Sequence, residues 1–189
     1  LRDVQAGAYA DRAASDRFRG LAPRDRGLAQ ELAFGAIRLR ARLDAELERW
    51  CDRPIERLDA GVLAALRLGL YQLRETRIPP HAAVSTTLDA TRRAAGSGAR
   101  GLINAVLRRA AREGRPADAY PRLEEDPAGY LATWGSHPAW LIRRWLDRYP
   151  LAAVERLVEL DNRPPPVTFR LLGATTRGLA ELGLKPLPG

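Results

Sequence analysis

Arginine is the residue whose spacing could do chemistry in this chain. Arg100, Asn104, Arg108 and Arg112 recur every fourth position, with Arg109 beside the line and Arg115 at its end. On a helix that spacing lays side chains one above another along a single face. A guanidinium pairs bidentately with phosphate and stacks on bases, so such a line suits a polyanion, RNA in particular. Arg24 and Arg26 fall just after Pro23, in the first turn of an expected helix, where exposed N–H groups already favour anions. Arg38, Arg40 and Arg42 form a second cluster, and Arg92 and Arg93 a third. Each cluster could equally be solvated helix surface, and spacing alone does not say which of them share a face.

The remaining reactive residue types point away from catalysis. Cys51 is the one cysteine, too few for an internal disulfide, and reads as a small core or boundary residue at a helix end. With His81 and His137 it falls short of the four ligands a structural zinc takes. Both histidines stand next to prolines and read as turn or packing residues. Trp134, Trp140 and Trp145 read as packing anchors, with base stacking the alternative. The glycine cluster Gly96-Ser97-Gly98 lies between two apolar-periodic segments, so it reads as a helix–helix turn and not as a cofactor-binding loop. No catalytic, cofactor-binding or metal-binding residue is assigned.

The elements that must hold these arginines are helices. Leu28, Leu32, Ala36, Leu39, Leu43, Leu47 and Trp50 recur at spacings of three and four, on one long helix or on two joined near Gly35–Arg40, ending before Pro54. A helix over 58–74 carries a broad apolar face typical of the centre of a bundle. Ile78-Pro79-Pro80 separates it from a helix over 82–95, and a last one covers 99–113. Gly114, Pro116, Pro121 and Pro127 mark 114–128 as a linker. Ser136-His137-Pro138 opens another helix with Ser136 as N-cap, and a further helix covers 151–160. Val167–Leu172 reads as a strand and Thr175–Leu182 as a short helix, a pair too small to bury a core alone. The chain starts at Leu1 and contains no methionine, so residues are expected to precede it, and the C-terminal end reads as cut through the start of another domain.

Composition agrees with a folded, basic domain. Hydrophobic residues make up 46% of the 189, enough for a core, and the net charge is +8 with a pI near 10.6. That whole surplus lies in residues 1–115, while 116–189 is balanced. A localised excess of this kind attracts polyanions. No apolar run reaches membrane-spanning length, and no secretory signal opens the chain, which makes a cytoplasmic protein the expectation.

The segments Leu21-Ala22-Pro23-Arg24-Asp25-Arg26, Glu31-Leu32-Ala33-Phe34-Gly35, Leu66-Arg67-Leu68-Gly69-Leu70-Tyr71-Gln72-Leu73, Pro80-His81-Ala82-Ala83-Val84 and Gly101-Leu102-Ile103-Asn104-Ala105-Val106-Leu107-Arg108-Arg109 resemble, in this order, the NusB-like helical domain. Ser136-His137-Pro138-Ala139-Trp140-Leu141, Arg144-Trp145, Tyr149 and Asn162-Arg163-Pro164-Pro165 resemble the stretch after that domain in bacterial ribosomal-RNA cytosine-5 methyltransferases of the RsmB, Sun or Fmu type. The resemblance implies an all-α NusB-like RNA-binding bundle over 1–115, a linker and helical connector over 116–166, and over 167–189 the truncated α/β start of a following subdomain. It implies small-subunit ribosomal RNA as partner and S-adenosylmethionine as cofactor of the full-length enzyme, with none in this chain. The family's catalytic cysteines lie in a later domain, so none maps here and this polypeptide is expected to catalyse nothing alone. The expected RNA contacts are Arg24, Arg26, Arg38, Arg40, Arg42, Arg100, Asn104, Arg108, Arg109 and Arg112. The alternative is a protein-interaction module, since the antitermination factor NusB also pairs with a protein.

Overall fold

A computed structural model describes residues 1, 4, 7–91 and 97–164, and within them every regular element is helical. The elements are α1 (Ala10–Arg17), α2 (Pro23–Arg38), α3 (Arg40–Trp50), a single 3-10 turn (Ile55–Arg57), α4 (Ala60–Glu75), α5 (Pro80–Thr91), α6 (Ser97–Glu113), α7 (Pro127–Thr133), α8 (Ala139–Leu146) and α9 (Leu151–Asp161).

Helix α4 is the axis of the first unit because it is apolar on nearly every side. Val62, Leu63, Ala65, Leu66, Leu70 and Tyr71 are all buried, and α2, α3, α5 and α6 pack around them. Asp59 starts the helix by accepting from the Gly61 and Val62 amides at 2.8 and 3.2 Å, which satisfies two N–H groups that no carbonyl can reach. Two glycines let neighbours approach α4 closely. A methyl on Gly35 of α2 would collide with the Tyr71 ring, and one on Gly69 with the Leu107 side chain of α6. Tyr71 thereby reaches across to donate to Glu31 Oε1 at 2.7 Å, and burial first, then Glu31, pushes its phenol above the usual tyrosine range.

The long apolar stripe is two helices, not one. It breaks at Leu39, whose φ of −94° and ψ of 23° leave the helical region while its side chain stays in the core. Leu28, at the start of the stripe, is half exposed and does not join the core. Ser97 and Gly98, expected in a turn, are instead the first residues of α6; Gly96 lies outside the described residues. The first turn of a helix lacks intrahelical N–H partners in any case, so small residues cost little there.

A second, smaller core lies in residues 127–161, where Leu131, Ile142, Val154 and Val158 are fully buried. Helix α7 starts at the end of the stretch expected to be a linker, 114–128, and runs on to Thr133. Asp126 caps it, accepting from the Gly129 amide at 2.8 Å, and Pro127 occupies its first turn. The segment before it is also no free tether: Ala119 is buried and Tyr120 reaches the first unit. The expected strand at Val167–Leu172 and helix at Thr175–Leu182 lie outside the described residues.

Candidate nucleic-acid interface

Helix α6 sorts its residues cleanly. Ile103, Val106, Leu107 and Ala110 face α4 with exposures of 3% or less, which turns Arg108 and Arg112 outward. Asn104 Oδ1 accepts from Arg108 Nε at 2.7 Å, holding that guanidinium along the helix. Among the described residues Arg112 pairs with Glu113 alone, at 2.8 Å, and Arg100 is half-buried with no carboxylate partner. The Glu113 carboxylate is held below its ordinary range, chiefly by the hydrogen bond from Arg112. Arg108 and Arg112 also form one wall of an open groove of about 480 Å³ between α5 and α6, with Pro80, His81, Val84, Ser85 and Leu88 opposite. An apolar floor beside two exposed cations can take a sugar–phosphate chain with a base against the floor.

The other expected contacts lie outside this row, and Arg92 and Arg93 lie outside the described residues. Arg109 lies over the Trp50 ring at 5.1 Å and reaches Glu113 at 3.4 Å, so it is partly engaged in packing. Arg24 and Arg26 are exposed in the first turn of α2, where the Arg26 guanidinium donates back to the Leu21 carbonyl at 3.2 Å. Helices α2 and α6 each pack on α4. Arg38 is half-buried at the end of α2. Arg40 is exposed beside a cavity of about 520 Å³ that Ala36, Ile37, Ser136, His137 and Pro138 also line, on the seam between the two units.

Arg42 occupies a different place altogether. It is 8% exposed, its Nε donates to the Trp134 carbonyl, and its guanidinium carbon sits 4.5 Å from the Trp134 ring centre. Trp134 in turn stacks on Tyr130, with ring centres 5.4 Å apart and planes within 10°. Burial lowers the Arg42 pKa and Glu75, 3.7 Å away, offsets part of that. Next to it is Glu46, fully buried, accepting from Arg74 Nε at 2.7 Å, Arg115 Nε at 2.8 Å and the Tyr120 hydroxyl at 2.9 Å. Arg74 also donates to the Ala110 and Gly114 carbonyls at the end of α6. Burial works against the Arg115 charge, yet Glu46, Tyr120 and Glu75 together raise its pKa; burial and then Glu46 push the Tyr120 phenol well above its usual value. Sequence reasoning missed this network. Its members span residues 42 to 134 and no local pattern joins them.

The arginines of the second unit were also missed. Arg143 and Arg144 are exposed on α8 and Arg148 just beyond it, and none has an acidic partner among the described residues. Of the residues set aside as packing groups, His137 donates from Nδ1 to the Gly135 carbonyl at 2.7 Å and packs on Trp145. Cys51 is half-buried, and burial raises its thiol pKa. Among the described residues no helix is long and apolar enough to cross a membrane.

Comparison with known proteins finds two family matches. Residues 3–112 match the NusB family, and residues 137–172 match the ferredoxin-like domain of RsmF/B-like methyltransferases. The ribosomal RNA small subunit methyltransferase B of Pseudomonas putida is 40% identical over 148 residues, covering 78% of this chain and 32% of that protein. The protein of the same name from Vibrio vulnificus is 33% identical over 168 residues, 89% of this chain and 38% of its own length. That of Shigella boydii is 34% identical over 148 residues, 78% of this chain and 33% of its own. The chain thus spans about a third of the length of the curated relatives it matches. On these matches the chain belongs to the NusB family, in the form that carries an RsmF/B-type ferredoxin-like segment after the helical bundle.

Proposed function

We propose that this chain is the RNA-holding region of an S-adenosylmethionine-dependent methyltransferase that modifies a cytosine of small-subunit ribosomal RNA, working in the cytoplasm. The observation that carries the reading is the α6 line of half-buried Arg100 and Asn104 and exposed Arg108 and Arg112, with Arg108 set in place by Asn104 beside an open groove. Its support from outside the geometry is that the relatives are named for methylating small-subunit ribosomal RNA. Arg24, Arg26, Arg38, Arg40 and Arg109 are secondary contacts in this reading, and Arg42 is left out because it is buried under Trp134.

The described residues do not fit the methyl donor. Its usual cradle is a glycine turn at the end of a strand, whereas the closely approached glycines among the described residues, Gly35, Gly69, Gly129 and Gly135, lie against Tyr71, Leu107, Asp126 and the Leu131 carbonyl, in or beside helices. The part of the described residues is to bind and orient RNA through phosphate contacts, which fix register without reading sequence.

A protein partner is the second reading, favoured by Leu21 and Leu28, which stand 37% and 50% exposed around the start of α2. Titrating the chain with a small-subunit ribosomal-RNA fragment and with a scrambled RNA, each across a salt series, separates the two. The RNA reading expects tighter binding to the ribosomal fragment and a steep fall with salt. Equal, negligible binding to both would move the role to protein contact.

A further inference from the structure

Helix α8 is sharply two-faced, and one residue stands on the wrong side. Ile142 is fully buried and Trp145 and Leu146 pack around it, turning the 140–143–144–147 line outward. That outer line holds Arg143, Arg144 and Asp147, as a solvated face should, and also Trp140, which is 64% exposed. The unit's other two tryptophans are occupied, Trp134 between Tyr130 and Arg42 and Trp145 against His137. Trp140 has no ring partner among the described residues. Tyr149, 54% exposed, and Arg148 come directly after the helix. Over residues 139–150 three arginines oppose the single acid Asp147.

We propose that Trp140, flanked by Arg143 and Arg144, is a stacking platform for an unpaired base of single-stranded RNA, the two guanidiniums taking the adjoining phosphates. An exposed indole offers a flat π-face that any base can cover, and cations three and four positions along the helix lie on the same side as its ring. Duplex RNA hides its base faces in the stack and cannot use the indole, so the site selects for unpaired nucleotides. Charge argues against an apolar protein face as occupant: Arg143, Arg144 and Arg148 have no acidic partner among the described residues, and such a contact would have to bury them unpaired. The site lies on the second core, apart from the α6 row. It rests on the RNA reading above and adds to it a second contact point with a preference for single strands.

The test uses the whole chain with a short single-stranded RNA and the same sequence closed into a duplex, reading affinity and quenching of tryptophan fluorescence. Trp140→Ala is expected to lose about tenfold in affinity for the single strand and little for the duplex, in line with the stacking of one base. Trp140→Phe is expected to keep most of that affinity while losing the same part of the quench. An Arg108→Ala/Arg112→Ala variant serves as the reference for the α6 row. If Trp140→Ala binds and quenches like the wild type while the α6 variant loses affinity, the platform is refuted and the RNA reading stands. If the wild type binds neither RNA, both fail. Unchanged RNA affinity in Trp140→Ala with a lowered melting temperature of the chain would refute the platform in favour of a packing role for the ring.

Discussion

At the residue scale, the contrast between Arg40 and Arg42 shows what a charge can mean in a helix. The two are separated by one position, yet Arg40 is exposed while Arg42 is enclosed between α3 and Trp134. Grouping 38, 40 and 42 as one cluster ignores the turn of about 100° per residue that sends alternate positions to different sides of a helix. The reason Arg42 can be buried lies far away in sequence, at Glu75 and Trp134, so the residue types around it carry no sign of it. Glu46 is the extreme case, with no exposure and three donors, from Arg74, Arg115 and Tyr120. Removing one partner of a buried ion pair strands the others, so Glu46→Ala should cost about 3–5 kcal/mol. Urea unfolding measures this directly. A loss under about 1 kcal/mol would mean that Arg74 and Arg115 find water or other acceptors, and that the network contributes little.

At the element scale, the helices of the first unit are legible in the sequence because their apolar residues repeat at spacings of three and four over long runs. The starts are less so. Proline and aspartate mark α7 plainly, at Asp126-Pro127, but the surrounding prolines make the whole stretch read as a linker. Ser136 is a capping residue, as its type and place suggest, but it caps a different helix from the one it precedes. The helix after it, α8, begins beyond Pro138, and Ser136 stands at φ 57°, which turns its hydroxyl back toward the first unit. There its Oγ accepts from the Ala41 amide at 2.9 Å, in the first turn of α3, ninety-five positions earlier. Spacing can announce a cap but not a partner this remote. Loss of an N-cap costs about 1 kcal/mol, so Ser136→Ala should lower the unfolding free energy measured in urea by that amount. Ser136→Gly keeps the backbone conformation and loses only the cap, so an equal loss in both assigns the effect to the hydroxyl. No change in either would remove Ser136 from the seam between the units.

At the scale of the whole molecule, two cores are joined by polar links instead of a shared apolar layer: Ser136 to α3, Arg42 to Trp134, and Tyr120 to Glu46. The all-helical class, the order of the bundle helices and the family are all readable from the sequence. The division of charge is also readable, with the surplus confined to residues 1–115. Which arginines the interior consumes is not. Packing takes Arg42, Arg67, Arg74 and Arg115 into ion pairs, and leaves the α6 row facing outward. The central claim is that this row holds RNA phosphates, and salt dependence tests it most directly. Binding of a small-subunit ribosomal-RNA fragment should be measured against salt for the wild type and for Arg100→Ala/Arg108→Ala/Arg112→Ala. Each phosphate contact contributes roughly 0.7–0.9 to the slope of log affinity against log salt, so the variant should bind more weakly with a slope shallower by about 2. An unchanged slope and affinity would contradict the account and put the phosphate contacts elsewhere on the molecule.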